Sequence, residues 1–292
     1  MVDEETPLTG GKSYGTRTMQ FNIERIRFFG LVGAVVLILV GTFVSTYAVV
    51  FPAKDDPSTF LEKLMGAPSD FETEKTFIYQ FFGFNHTCSM LDNNPSKTIA
   101  ALIIMLHIVP MDFFIICHYL RITSQTDPKY DNLKKITKIF SPLQFIFMTY
   151  FFMVFVNSPD GIYGTEEGTN KFIAHYTPYM LWQLGMVLMA IQQCWFIALK
   201  DMIPLSWVTK EMMWMYCQCM MVMFVVYTVF CWAFIVGSPL WPTTMPDHPM
   251  GNFVAKCIMY GWDVISIMVP MYFAWLEGSD GNDTQFTFKE LQ

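Results

Sequence analysis

The stretch LHIVPMDFFIICHYLR, residues 106–121, is apolar enough to lie in a lipid bilayer, yet it contains His107, Pro110, Asp112 and His118. Ionisable side chains are costly inside hydrocarbon, and proline interrupts the hydrogen bonds of a helix. A helix surrounded by lipid would avoid all four residues. The stretch therefore predicts a membrane helix with at least one face packed against other protein helices.

The rest of the chain has the composition of a membrane protein. Of its 292 residues, 53% are hydrophobic and 15% are charged, whereas an average soluble domain has about 25% charged residues. A bilayer core about 30 Å thick needs roughly 20 apolar residues per helix. Six such runs are present, at residues 28–51, 98–120, 139–156, 177–199, 212–236 and 253–276. Because lipid offers the backbone no hydrogen-bond partners, we predict an all-α transmembrane bundle of six helices.

The lysine and arginine residues of the connecting segments predict the orientation. With the N-terminus in the cytosol, twelve of them face the cytosol and six face the opposite side. Both termini are therefore predicted to be cytosolic. The chain divides into a cytosolic N-terminal segment (1–27), a transmembrane domain (28–276) with a long outer loop (52–97), and a cytosolic C-terminal tail (277–292).

The long outer loop contains two features of a non-cytosolic environment. Asn85-His86-Thr87 is an N-glycosylation sequon, so we expect Asn85 to be glycosylated. Cys88 in the same loop and Cys257 near the outer end of the last helix either pair as a disulfide or remain two free thiols. The net charge of −7 leaves no basic surface for nucleic acid, and no nucleic-acid partner is expected.

Four intramembrane polar residues are candidate functional residues: His107 and Asp112 in the second helix, Gln192 in the fourth and Asp263 in the sixth. No Lys or Arg lies at the depth of the two aspartates, and a buried carboxyl without a cation tends to be neutral. Either each aspartate is protonated and hydrogen-bonded to another helix, through Gln144, Gln192, Gln193 or Gln218, or the two line a hydrated cavity that binds a proton, a cation or a lipid headgroup. His107 and Asp112 differ in direction by about 140° around the helix, so one helix cannot bring them and His118 to one metal.

Motifs of specific chemistries are absent from the sequence. Phosphate-binding glycine loops and zinc-binding His-Glu-x-x-His are not found, and we expect no catalytic residues, no enzymatic activity, no cofactor and no metal. The run 212–223, MMWMYCQCMMVM, contains the thioether and thiol groups that suit Cu(I). Methionine is also a common core residue and the chain has 23 of them, so we interpret the run as packing.

Several segments together resemble a known family. Lys171-Phe172-Ile173-Ala174-His175 precedes an apolar helix with Gly185 and Gln192, and the final helix opens with an acidic residue beside Trp262. With the six-helix order and the long first outer loop, this pattern resembles the DRAM-like superfamily, which includes damage-regulated autophagy modulators and Golgi proteins of GPI-anchor remodelling. The Ile-Ser-Asp-Thr-Gly type motif of the autophagy modulators is absent here. The resemblance implies a regulator of membrane or lipid state in a lysosomal, Golgi or plasma membrane.

Three classes of function follow. The resemblance and the lack of catalytic motifs favour a non-enzymatic regulator or lipid-interacting scaffold, with membrane lipids as partners. A proton- or cation-coupled transporter or channel would require His107, Asp112 and Asp263 to meet in a water-accessible cavity. A structural protein that forms lateral arrays or homo-oligomers through its helices is suggested by small-residue spacings such as Gly30 to Ala34, which suit packing within one subunit equally well.

Overall fold

The computed structural model describes residues 15–45, 91, 96–157, 165–200, 208–235, 249–279 and 284–290, and these are mostly helical. The α-helices are, in chain order, α1 Ile23–Ser45, α2 Ser96–Ile103, α3 Met105–Thr123, α4 Asp131–Tyr150, α5 Met153–Val156, α6 Glu166–Lys200, α7 Lys210–Ile235, α8 Pro249–Asp263 and α9 Val269–Ser279. A 3₁₀ turn, Pro128–Tyr130, leads into α4, and a π-helical turn, Val264–Met268, joins α8 to α9.

Five helical segments of the described chain are long and apolar enough to cross a membrane. They are Ser96–Thr123, Pro128–Val156, Glu166–Lys200, Lys210–Val229 and Lys256–Ser279. The first predicted run corresponds to α1, which has 23 residues and packs against α3 and α9. The predicted helical and apolar character is confirmed, and the helices are compatible with an integral membrane protein.

The longest helix, α6, begins well before the apolar run that predicted it. It has 35 residues, and at about 1.5 Å per residue it is longer than a bilayer core is thick. Its first turn contains Glu166 and Glu167, whose carboxylates are favourable at a helix N-terminus because of the helix dipole. Hydropathy therefore located the buried part of α6 and missed its polar extension.

The helices pack in a closed sequence of neighbours. α1 packs against α3, α3 against α4, α4 against α6, α6 against α7 and α7 against α8, and α9 returns to α1. In the most apolar stretch of α6, 67% of the residues are buried, whereas the other four spans have between 22% and 39% buried. α6 is therefore the most enclosed of these five spans, and the glutamines of its apolar stretch, Gln183, Gln192 and Gln193, are buried.

A close approach of α1 to α3 explains Pro110 in the opening stretch. Pro110 has no N–H to donate, so the carbonyl of Leu106 loses its usual partner in the next helical turn. That carbonyl faces Gly33, where an added Cβ would overlap it. A Cβ on Gly30 would lie 2.7 Å from Cγ of Met111. Glycine at both positions allows the two backbones to approach closely.

The all-α prediction missed one short sheet. β1, Gly15–Phe21, pairs antiparallel with β2, Thr284–Glu290, and Thr18 lies opposite Thr287. Both strands contain Thr and Phe, which favour strands, but they are too short to stand out beside the apolar runs. The pairing requires the two terminal segments to lie on one side of the bundle. That this side is the cytosol stays a prediction.

Candidate functional site

His107 is fully buried in α3, and both of its ring nitrogens are paired. The indole N–H of Trp182 donates to Nε2 of His107 at 3.1 Å. Because an indole nitrogen only donates, Nε2 carries no proton, and the Nδ1–H donates to the carbonyl oxygen of Gly30 at 2.8 Å. His107 is therefore a neutral ring that joins α3 to α1 and α6.

Gln192 is the centre of a second buried polar group between α4 and α6. Its side-chain oxygen accepts a hydrogen bond from Nε2 of Gln144 at 2.8 Å. Its own Nε2 donates to Oγ of Ser141 at 3.1 Å and lies 3.2 Å from Oγ1 of Thr137. All four side chains are buried. Gln192 and Gln144 thus join α6 to α4 through bonds to each other and to two hydroxyls, and these bonds are not the predicted ones to the aspartates.

Asp112 and Asp263 are both half-buried. Oδ2 of Asp112 lies 3.0 Å from Oγ1 of Thr149 in α4, so its partner is a threonine and not one of the glutamines. Asp263 is the last residue of α8, immediately before the π-helical turn. The cavity described below is lined by neither aspartate, nor by His107. The three residues therefore do not meet in this cavity, as a transporter that used them would require.

The most strongly polar site lies where the ends of α1, α3, α6 and α9 meet. We call it the charge cluster, and its members are all buried, with at most 8% of any residue exposed. It consists of Glu24, Arg27, His118, Arg121, Gln193 and Glu277. In the predicted topology all four of these helix ends lie on the cytosolic side.

The charged members of the cluster neutralise one another. Nη2 of Arg121 lies 2.8 Å from Oε1 of Glu24, and Nη2 of Arg27 lies 3.0 Å from Oε2 of Glu24. Arg27 also lies 3.5 Å from Oε1 of Glu277. Between the two carboxylates, Nε2 of Gln193 lies 3.1 Å from an oxygen of Glu24 and 3.1 Å from an oxygen of Glu277. Two arginines and two glutamates thus form a network with equal numbers of positive and negative charges. Without this pairing, burying each ion would cost several kcal/mol.

His118 belongs to this cluster through its contact with Arg121. Nη2 of Arg121 lies 2.7 Å from Nδ1 of His118, which must accept because a guanidinium only donates. The imidazole stacks on Phe114, with ring centroids 5.3 Å apart, and the guanidinium of Arg121 lies 4.6 Å from the ring centroid of Phe196. The two ionisable residues at the end of the opening stretch are therefore held by aromatic rings and by Glu24.

Sequence reasoning missed this cluster for an identifiable reason. Glu24, Arg27 and Arg121 flank apolar runs, and the arginines were counted as charges of cytosolic segments. Glu277 comes directly after the last run, 253–276. Two features of the sequence could have indicated it. Glu24 and Arg27 have the i, i+3 spacing of a helical ion pair. Glu24 and Glu277 are acidic residues at predicted cytosolic helix ends, where basic residues are usual.

A cavity of about 30 Å³ adjoins the charge cluster. This is the space open to the centres of water molecules, and one water needs roughly 10–15 Å³ on that measure. Arg27, Gln193 and Glu277 contribute its charged and amide lining. Tyr216 also lines it, and most of the remaining lining consists of apolar or sulfur-containing side chains from α1, α3, α6, α7 and α9.

Two predicted sites lie outside the described residues: the glycosylation site Asn85, and Cys88 of the possible disulfide with Cys257. Cys257 is described and is exposed in α8. The glycan and the disulfide therefore stay predictions.

Comparisons with protein-family models, curated proteins and solved structures find no match to this chain. The resemblance to the DRAM-like superfamily rests on the quoted segments alone. One of them, residues 171–175, lies in the first turns of α6, where His175 is buried and its Nδ1 lies 2.7 Å from the carbonyl oxygen of Asn157. In this chain His175 joins α6 to the segment that follows α5.

Proposed function

We propose that the protein is a non-enzymatic multi-pass membrane protein that acts as a regulator or lipid-interacting scaffold. The observation that carries this proposal is the use of its buried polar groups. His107, Gln192 and the charge cluster each bond one helix to another, and together they involve α1, α3, α4, α6 and α9. Such bonds favour a bundle of fixed shape that acts through its outer surface.

The outer face of α7 supports the same proposal. Met215, Val222, Val225 and Val229 are each more than half exposed. Their spacings of three, four and seven residues place them on one side of the helix. An exposed apolar face of this kind is suited to lipid chains or to another membrane helix.

A proton- or cation-coupled transporter is the second candidate, and the cavity beside Arg27 and Glu277 is the observation that favours it. The version that depends on His107 loses support, because both of its nitrogens are engaged in bonds between helices. For the lateral-array alternative, the Gly30 to Ala34 spacing no longer counts as support, since both residues are buried within one subunit.

We propose an endomembrane location, lysosomal or Golgi, or a plasma-membrane location, on the resemblance and on the sequon. A fluorescent fusion in a eukaryotic host gives the organelle directly. Glycosidase treatment should shift the mobility of the parent protein, and Asn85→Gln should remove the shift. Accessibility of residue 85 from the cytosolic side of intact organelles, in a protease-protection assay, would contradict the topology.

The scaffold and the transporter are separated by two measurements on the purified full chain. Native mass spectrometry should show phospholipids that remain bound after the detergent is removed. Replacing Val222 and Val229 with Ser should reduce this retention, whereas Lys135→Gln at an exposed position should leave it unchanged. Proteoliposomes should hold a pH gradient as well as protein-free vesicles do. Loss of the gradient, together with absence of bound lipid, would favour the transporter.

A further inference from the structure

Two buried cysteines lie together at the contact between α6 and α7. Cys194 in α6 and Cys217 in α7 are both buried and pack in one cluster with Met213, and their thiols are hydrogen-bonded neighbours. Sγ of Cys194 also lies 3.6 Å from the carbonyl oxygen of Met213. Cys194 lines the cavity beside the charge cluster. Cys194 therefore borders an internal space, with the thiol of Cys217 next to it.

The same cavity is rich in methionine. Four of its fourteen lining residues are methionines, against 23 of 292 residues in the whole chain. They are Met111, Met186, Met189 and Met213. They come from three helices, α3, α6 and α7, so the enrichment does not follow from one methionine-rich segment. We call this space, with Cys194 and Cys217, the sulfur cavity.

We propose that the sulfur cavity binds one Cu(I) ion through the thiolates of Cys194 and Cys217, supported by methionine thioethers. Thiolates and thioethers are soft ligands, and Cu(I) is the soft cation that they select. Structural zinc sites instead use four ligands drawn mainly from cysteine and histidine. Within the described part of the chain, no group of three or more His, Cys, Asp or Glu residues is placed to hold a metal. The donor set therefore fits Cu(I) better than zinc or iron.

The charges of the bound state balance within the site. Copper stays in the Cu(I) state, each thiol releases its proton to solvent, and two thiolates with one Cu(I) carry a net charge of −1. The guanidinium of Arg27 lines the same cavity, and its Nε finds no hydrogen-bond partner in the part of the chain that the structure describes. Arg27 thus offers a positive charge and an unused N–H donor to an anionic complex in the cavity.

The proposal also revises the interpretation of run 212–223. Met212, Met215 and Met221 are exposed on α7, whereas Met213, which lines the cavity, and Cys217, which packs in one cluster with Cys194, are buried. Only the buried face of the run belongs to the sulfur cavity. The exposed residues of the same run provide matched controls.

The test is Cu(I) binding by the purified full chain in detergent, without oxygen, in competition with the chelator bicinchoninate. We expect one Cu(I) per chain. Cys194→Ser and Cys217→Ser should each weaken binding by at least about 100-fold, because removing a ligand exceeds the loss seen for outer-shell partners. Met189→Leu keeps the side-chain volume, removes one sulfur and should weaken binding about tenfold. Cys219→Ser and Met215→Leu, both exposed on α7, should bind as the parent does.

Two further readouts keep the test decisive if a serine variant folds poorly. Cu(I) should raise the Tm of the parent and of Cys219→Ser, because a ligand that binds the folded state stabilises it. The X-ray absorption spectrum of the bound copper should show sulfur neighbours only. The proposal is overturned if bicinchoninate removes all copper from the parent, if Met189→Leu binds as tightly as the parent, or if nitrogen or oxygen ligands dominate the spectrum.

Discussion

The middle of the bundle and its predicted cytosolic end bury polar groups in two different ways. In the middle, the ring of His107 and the amide of Gln192 are neutral and bond to neutral partners on other helices. At the end, the charge cluster encloses two arginines and two glutamates that depend on one another for charge balance. A neutral group that loses its partner leaves an unpaired dipole, whereas a charged group leaves an unpaired ion. The two regions should therefore differ in how strongly they respond to single substitutions.

The largest effect is expected from Glu24→Leu in the charge cluster. This change leaves Arg121 without its carboxylate and Arg27 with only the longer contact to Glu277. We expect the free energy of unfolding to fall by about 3–5 kcal/mol, as for other buried pairs that lose one partner. The measurement is unfolding of the purified full chain in one detergent, followed by circular dichroism.

Two controls define what this result means. Glu24→Leu combined with Arg121→Met removes one charge of each sign and should be more stable than Glu24→Leu alone. The exposed pair Lys134 and Asp131, 3.0 Å apart, is the matched surface case, and Asp131→Asn should cost no more than about 1 kcal/mol. Equal losses for Glu24→Leu and Asp131→Asn would show that the cluster is not a buried network.

The next effect in size is expected in the neutral region, at His107. His107→Leu removes the bonds to the indole N–H of Trp182 and to the carbonyl of Gly30, and we expect a loss of about 1–3 kcal/mol for the two bonds together. His107→Gln offers both a donor and an acceptor and should recover part of the loss. The same unfolding measurement, applied to the parent and to both variants, tests this prediction. A His107→Leu variant as stable as the parent would mean that the ring does not join the three helices.

The contrast between the two regions also separates what the sequence could predict from what it could not. His107 and Gln192 stand out because polar residues are rare inside apolar runs, and both proved to be buried. Their partners were not predictable, since pairing Trp182 with His107 depends on the rotation and order of the helices. Neither is determined by hydropathy.

The charge cluster was hidden for a different physical reason. A charged residue beside an apolar run is usually solvated at the membrane surface, so Arg27 and Arg121 were assigned to cytosolic segments. Their burial follows from four helix ends that meet at one place, with Glu277 one residue beyond the last apolar run. The six apolar runs predicted the helical fold well because lipid enforces helices. Side-chain contacts at the helix ends required the three-dimensional arrangement.

A smaller effect is expected where α1 approaches α3. An added Cβ at Gly33 would overlap the backbone of Leu106, so Gly33→Ala must separate the two helices, at about 1–3 kcal/mol for such overpacking. At Gly185 in α6, the nearest atom to an added Cβ is Cβ of Phe147 at 3.4 Å, an ordinary contact. Gly185→Ala should therefore be neutral, or stabilising by about 0.5 kcal/mol through the unfolded state. The two variants differ from the parent by one methyl group each, and equal stability would contradict the close approach.

The smallest effect is expected for Asp112→Asn, and it tests whether the neutral region extends to this carboxyl. Oγ1 of Thr149 lies 3.0 Å from Oδ2 of Asp112 and 2.9 Å from the carbonyl oxygen of Phe145, but its single hydrogen can be donated to only one of them. Both contacts are satisfied when Thr149 donates to Phe145 and a neutral Asp112 donates to Thr149. The side-chain amide of the Asp112→Asn variant would supply an N–H in the same place, so we expect a change below about 0.5 kcal/mol, whereas Asp112→Leu should lose about 1 kcal/mol. In a Thr149→Val background the difference between these two variants should disappear. If Asp112→Asn loses as much as Asp112→Leu, the carboxyl is ionised and accepts from Thr149, and Asp112 then belongs with the charged groups and regains its place in the transporter alternative.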